Sequence, residues 1–255
     1  RIPHRRPGKG IERTAQRKLE KTLKSRIFTS PSLFIYQQVQ FMEEEILISY
    51  RGVNIDQKEY NILSDIDFDI RKGEFVYLIG KVGSGKSSFL KTIYGELNIS
   101  QGEARVLDKD MRTIKPKEIA GLRRKLGIIF QDFQLLTDRN VFDNLEFVLQ
   151  ATGWKKKNEI ESRIFEVLKL VGMENKGYKM PNELSGGEQQ RIVIARAILN
   201  NPEVILADEP TGNLDVETGR HIVQLLQDIC RQGAAIIMTT HNLNLLKEFP
   251  GTTYP

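Results

Sequence analysis

Cysteine is nearly absent: Cys230 is the only one in 255 residues. A single thiol excludes an intrachain disulfide, and its place in a helical pattern makes it a small buried hydrophobe rather than a catalytic nucleophile. Long hydrophobic runs are missing as well. The longest, such as Ala234 to Met238, have the length of core strands and fall far short of the roughly 18 residues that cross a bilayer. Any attachment to a membrane is therefore expected to go through a partner. Acidic residues are scarce only at one end. Of 38 Lys and Arg and 33 Asp and Glu, ten basic and two acidic residues fall in the first 30 positions, leaving 28 against 31 for the remainder. The net charge of +5 comes from this leader, and the body of the chain is mildly acidic, which argues against a nucleic-acid binder.

The leader, residues 1–41, opens on Arg and reads R-I-P-H-R-R-P-G-K-G before a Lys/Arg-rich stretch. It reads as sequence upstream of a start at Met42, as a transit peptide, or as a membrane-surface helix; the apolar core of a secretory signal is lacking. The expected reading is a disordered or non-native extension ahead of one folded domain over 42–255. With 40% hydrophobic residues, that length suits one large domain or a domain with a subdomain.

The strongest positive signal is Glu74 to Leu90. An apolar run, Phe75 to Ile79, suits a buried strand; Gly80-Lys81-Val82-Gly83-Ser84-Gly85 follows, and a helix opens at Lys86-Ser87. This is G-x-x-x-x-G-K-S, a phosphate-binding loop. Its glycines let successive N–H groups converge, and the helix adds its positive end to the same concavity. Lys86 would reach the β- and γ-phosphates, Ser87 would ligand Mg²⁺, and Ser88 would contact the α-phosphate.

Ahead of the loop, Ile46 to Asp108 reads as strand-rich, with alternation at Ile46, Ile48 and Tyr50 and again at Ile66, Phe68 and Ile70. Tyr60 is either an adenine-stacking aromatic or a sheet-edge residue. Beyond the loop the pattern predicts a strand over Glu103 to Leu107, a basic amphipathic helix over Lys117 to Leu126, and a buried strand over Gly127 to Asp132 that carries Gln131 at its carboxyl end. Val141 to Ala151 and Glu159 to Val171 read as two amphipathic helices of an insertion. Leu184-Ser-Gly-Gly-Glu-Gln189 opens another helix. Ser185 and Glu188 there form a capping box, which leaves Gly186 and Gly187 unexplained unless a backbone must approach an anion. Val204 to Glu209 is a second buried strand, ending in Asp208 and Glu209 ahead of Pro210. A helix from about Val216 to Arg231, a third strand over Ala234 to Thr239, and His241 follow; His4 and His221 lack any such context.

Taken in this order, these pieces resemble the ATP-binding cassette (ABC) ATPases over residues 43–249. The matching motifs are Walker A at Gly80 to Ser87, the Q-loop at Gln131, the signature at Leu184 to Gln189, Walker B at Val204 to Asp208 with Glu209, the D-loop at Asn213 to Asp215, and the switch His241. The resemblance implies an α/β P-loop NTPase with a mainly parallel sheet core, an antiparallel β subdomain and a helical insertion subdomain at about 133–184. It implies ATP hydrolysis with Mg²⁺, the phosphates lying on Gly80, Lys81, Val82, Gly83, Ser84, Gly85, Lys86, Ser87 and Ser88. Ser87, Gln131 and Asp208 would serve the metal, Glu209 would be the general base, and His241 would hold the γ-phosphate. In a head-to-tail homodimer, Ser185, Gly186 and Gly187 would reach the nucleotide of the other subunit. The family's stacking aromatic falls nearer Gln57 than Tyr60, and Val82 stands where many members have Ser.

Within the family, L-A-D-E-P-T-G-N-L-D resembles the branch that serves lipoprotein release, macrolide export and cell division. Phe130 to Asn144, with Asp138-Arg139 before Val141-Phe-Asp-Asn144, is most similar to the cell-division members. That likeness implies an integral membrane partner of FtsX type at the cytoplasmic face of the bacterial inner membrane, driven to activate cell-wall hydrolases. The alternative is a lipoprotein-releasing or macrolide-type transporter subunit. A soluble ABC ATPase acting on nucleic acid is disfavoured, because the 54 residues from Gln131 to Ser185 (185 − 131) leave no room for a long coiled-coil insertion. A non-hydrolysing module is opposed by Lys86, Asp208, Glu209 and His241 occurring together. The chain stops fourteen residues after His241 (255 − 241), where family members continue, so a truncated carboxyl end is expected.

Overall fold

The computed structural model describes residues 45–57 and 60–255, and the expectations for segment 1–41 fall outside them. Strands β1 (Ile46–Gln57) and β2 (Tyr60–Arg71) form a long antiparallel hairpin. Past Leu47, which is also buried, β1 buries Ile48 and Tyr50 and then Val53 and Ile55, so the phase switches from even to odd positions. A register shift between Tyr50 and Val53, with Gly52 at φ 55°, absorbs the extra residue. Strand β4 (Gln101–Val106) pairs with β1 at the same place, where a Cβ on Gly102 would lie 2.3 Å from the Gly52 carbonyl oxygen. With the short β5 (Lys109–Asp110), this sheet has the order β2-β1-β4-β5.

The second sheet is parallel. Its strands are β3 (Phe75–Ile79), β6 (Leu126–Ile129), β7 (Val204–Ala207), β8 (Ala235–Thr240) and β9 (Thr252–Tyr254), in the order β6-β7-β8-β3-β9. Both faces are covered. Tyr77, Ile205, Ala207, Ile236 and Met238 point into one core, and Val76, Leu78, Val204, Leu206, Ala235 and Ile237 into the other. This two-sided burial is why these strands read as continuous apolar runs instead of alternating ones. Helix α1 (Lys86–Ile93) lies on the side of the antiparallel sheet, placing Phe89, Leu90 and Ile93 in the second core. Phe89 meets Tyr50 and Phe68 edge-on there.

The other face carries helices. After α2 (Pro116–Arg124) and β6 come α3 (Val141–Ala151), α4 (Lys157–Leu170), α5 (Gly186–Ile198), α6 (Val216–Arg231) and the short α7 (Leu243–Glu248). Helix α3 buries Val141, Leu145 and Leu149, the spacing of one helical face, and its N-terminus is capped by Asn140, whose side chain accepts from the Asp143 N–H. Helices α3 and α6 have the bounds that the pattern predicts. Strands β6 and β7 end sooner, at Ile129 and Ala207, so Gln131, Asp208 and Glu209 stand in the loops beyond them. The Asp208 N–H still donates to Ile129 O at 2.8 Å. Cys230 is buried, with its thiol donating to Gly73 O at 3.3 Å, and burial pushes its pKa up to about 11.

Arg163 of α4 is 8% exposed and does structural duty. Its guanidinium donates to the carbonyls of Ile198 and Leu199 and to the Asn201 side chain, at 2.7, 2.9 and 2.6 Å, and pairs with Glu166. The two carbonyls belong to the C-terminal end of α5, where backbone acceptors have no helical donor and the dipole favours a cation. Replacing Arg163 by Ala strands these acceptors and opens a void. We expect a loss of about 2–4 kcal/mol in urea unfolding, and a loss below about 0.5 kcal/mol would show that the fork contributes little.

Candidate functional site

The carboxyl ends of β3, β6, β7 and β8 share one rim. Between β3 and α1 the loop 80–85 turns through Gly83 and Gly85 at φ 81° and 93°, the left-handed region that glycine enters without strain. Gly85 is further constrained by its neighbours, since a Cβ there would lie 2.9 Å from the Leu63 side chain. Lys86 Nζ donates to the carbonyls of Gly80 and Lys81 at 2.8 and 2.9 Å, so the loop folds around its own ammonium group.

A cleft of about 440 Å³ opens above this loop, lined by residues 82–88 with Ile62, Gln131, Asp208, Glu209, Gly212 and His241. The residues singled out on four separate strand ends are therefore brought to one place. Gly80 and Lys81 contribute carbonyls behind the cleft. Tyr60 opens β2, but its side chain lies outside the described part of the structure.

The two carboxylates are held differently. Asp208 accepts a hydrogen bond from the Thr239 hydroxyl at 2.7 Å. Glu209 has φ 44°, a region disfavoured for any residue with a Cβ, and its N–H donates to Thr239 Oγ1 at 2.8 Å. Its carboxylate, 13% exposed, sits with both oxygens 3.1 Å from His241 Nδ1. The contact is a hydrogen bond in the tautomer that carries the ring proton on Nδ1. The turn after Glu209 is closed by the Gly212 N–H donating to the Glu209 carbonyl, and Asn213 donates to the Gln131 carbonyl, linking the two loops across the rim.

Residues 185–187 do not line this cleft. Ser185 caps α5: its Oγ accepts from the Glu188 N–H, and its own N–H donates to the Glu188 carboxylate. That backbone donor first, then Lys176 at 3.2 Å, hold the Glu188 carboxyl below the ordinary range. Gly187 has a reason that sequence patterns did not show, because a Cβ there would lie 2.5 Å from Thr218 Cγ2 of α6. Thr239 was also missed. Its only sequence signal is a pair of hydroxyls, Thr239 and Thr240, ending an otherwise apolar strand.

The cleft offers hard oxygen donors, among them the Ser87 hydroxyl, the Gln131 amide and the Asp208 and Glu209 carboxylates, beside a loop of backbone N–H groups. Among the described residues no cluster of three or more His, Cys, Asp or Glu could hold a metal. That set suits Mg²⁺ shared with a phosphate and water, and does not suit an all-protein metal cage.

The family model for ABC transporters matches residues 63–212. The cell division ATP-binding protein FtsE of Bacillus subtilis (strain 168) is 46% identical over 184 residues, covering 72% of this chain and 80% of that protein. The methionine import ATP-binding protein MetN of Clostridioides difficile (strain 630) is 39% identical over 206 residues, covering 80% and 64%. Among solved structures, the ATP-binding cassette MJ0796, as a dimer in a post-hydrolysis state bound to ADP and Pi, superposes with a TM-score of 0.69 at 34% identity over 78% of this chain and 89% of that one. With the glycine-rich loop, the two carboxylates and His241 on one rim of a parallel sheet, this chain belongs to the ABC transporter family and is an ATP-hydrolysing cassette.

Proposed function

We propose that this chain is the ATPase subunit of a bacterial cell-division complex, acting with an integral membrane partner of FtsX type at the cytoplasmic face of the inner membrane to activate cell-wall hydrolases. The chemistry rests on the convergence of Lys86, Ser87, Gln131, Asp208, Glu209 and His241 on one cleft. The cell-division role rests on the likeness to FtsE, 46% against 39% for MetN. The segment before Asn144 supports it. Asn144 is 2% exposed, accepts from the Leu136 N–H and donates to the carbonyls of Leu136, Arg139 and Asn140, so this loop has a built conformation. Arg139 lies over the Phe147 ring at 4.6 Å, tying the loop to helix α3.

In this mechanism the N–H groups of the loop and Lys86 bind the β- and γ-phosphates, and Ser87 and Asp208 hold Mg²⁺ with Gln131 beside it. Bound there, the metal would neutralise charge on the phosphates. Glu209 takes the proton of the attacking water, which Gln131 orients. His241, whose Nδ1 faces the Glu209 carboxylate, offers Nε2 to the γ-phosphate. Ser185, Gly186 and Gly187 close the cleft of a second copy in a head-to-tail homodimer. Their position away from their own cleft supports this, as does the dimer of the related cassette.

Lys86→Ala is expected to lose ATP affinity. Glu209→Gln is expected to bind ATP, lose about 10²- to 10⁴-fold in turnover and accumulate as an ATP-bound dimer in light scattering; normal turnover would remove Glu209 as the base. The motifs of the site all lie beyond residue 41, so deleting segment 1–41 is expected to leave ATP turnover unchanged, and a collapse of activity would show otherwise. Capturing tagged Glu209→Gln protein from native membranes with MgATP is expected to bring down an FtsX-type protein. Recovery of a methionine-import, lipoprotein-releasing or macrolide-type permease instead would make the chain a transporter subunit.

A further inference from the structure

Thr239 makes no contact with solvent, yet its one hydroxyl serves both carboxylate-bearing residues of the cleft. The reason is topological. Strands β7 and β8 pair in parallel through Ala207 and Met238, and the register stops there. Asp208 and Glu209 continue past the ladder, next to Thr239. Asp208 keeps its backbone bond to β6, whereas Glu209 turns into a left-handed conformation that points its N–H back at β8. A valine or alanine at position 239 would leave that N–H without its acceptor and Asp208 Oδ1 without its donor, at half-buried positions beside the cleft.

We infer that Thr239 is a positioning residue for ATP hydrolysis, whose hydroxyl fixes the metal-side carboxylate of Asp208 and the backbone of the base Glu209 at once. The directions of its two bonds are unambiguous: the carboxylate can only accept and the amide can only donate, so the hydroxyl proton goes to Asp208 and an oxygen lone pair to Glu209. The pair is thereby coupled. Both bonds end on the one oxygen, so a displacement of Thr239 Oγ1 disturbs Asp208 and Glu209 together. The phosphate loop, by contrast, makes no hydrogen bond to Thr239 among the described residues, so nucleotide binding without metal should be indifferent to this side chain.

The inference rests on the assignment of Asp208 to the metal and Glu209 to the proton, and the test separates the two. Thr239→Val, Thr239→Ala and Thr239→Ser are compared in the full chain. Val and Ala are expected to lower kcat about 10- to 100-fold, the range for groups that orient metal ligands, and Ser to recover most of it. Binding of a fluorescent trinitrophenyl-ATP, measured in the Glu209→Gln background, is expected to need more Mg²⁺ for half-saturation with Val or Ala than with Thr or Ser. Binding without Mg²⁺ should be unchanged, which also reports an intact fold. Wild-type turnover and Mg²⁺ dependence in Thr239→Val would overturn the inference. So would a Ser variant as impaired as Val or Ala, because the methyl group and not the hydroxyl would then matter. If the Val variant does not fold, Ala against Ser decides. Normal turnover of Glu209→Gln alone would overturn the role of the base while the Mg²⁺ titrations still judge Thr239.

Discussion

Everything polar about this protein's function follows from burying β3, β7 and β8 on both faces. With Tyr77, Ile236 and Ile205 on one side and Val76, Ile237 and Leu206 on the other, these strands have no position at which a charged side chain could stand. Chemistry can appear only where the ladder stops, and in a parallel sheet all carboxyl ends lie on the same rim. The phosphate loop, Gln131, the two carboxylates and His241 are far apart along the chain but are each the first polar residues past a strand. Their convergence needs no long-range instruction beyond strand order.

That logic explains how much of the site could be read before the fold was known. A glycine-rich turn between an apolar run and a helix start is a local pattern, and so are Asp208 and Glu209 after Val204 to Ala207. Helices α3 and α6 were legible for the same reason, with caps at Asn140 and Asp215 and a single buried face. What was not legible depends on neighbours distant in sequence. Gly187 is small because Thr218 of another helix lies against it, and Thr239 matters because β7 ends at Ala207, opposite Met238, while β8 runs two residues further to Thr240. Strand β9 has three residues and β5 has two, too few for any periodicity to show.

The antiparallel sheet illustrates a different limit. Alternation in β1 is real on both sides of Gly52 but changes phase there, so a strict period of two loses the second half of the strand. The bulge is recoverable only with Gly102 in view, because the two backbones approach too closely for any side chain at that crossing. The consequence reaches the cleft, since β2 pairs along this bulged strand and carries Ile62 into the wall beside the phosphate loop and Leu63 against Gly85.

The cap of α5 has a consequence for which residues could replace Ser185. A hydroxyl has two kinds of capacity, and holding the Glu188 N–H consumes only a lone pair. The proton stays available for an acceptor outside the helix, and the reciprocal bond from the Ser185 N–H to Glu188 keeps the residue from swinging away. Aspartate would cap the helix as well, but it brings a negative charge and no proton, and asparagine would spend its oxygen on the cap and present a bulkier amide. Helix stability alone would accept any of the three. Of the three, only serine's short hydroxyl both accepts into the helix and keeps a compact donor facing outward.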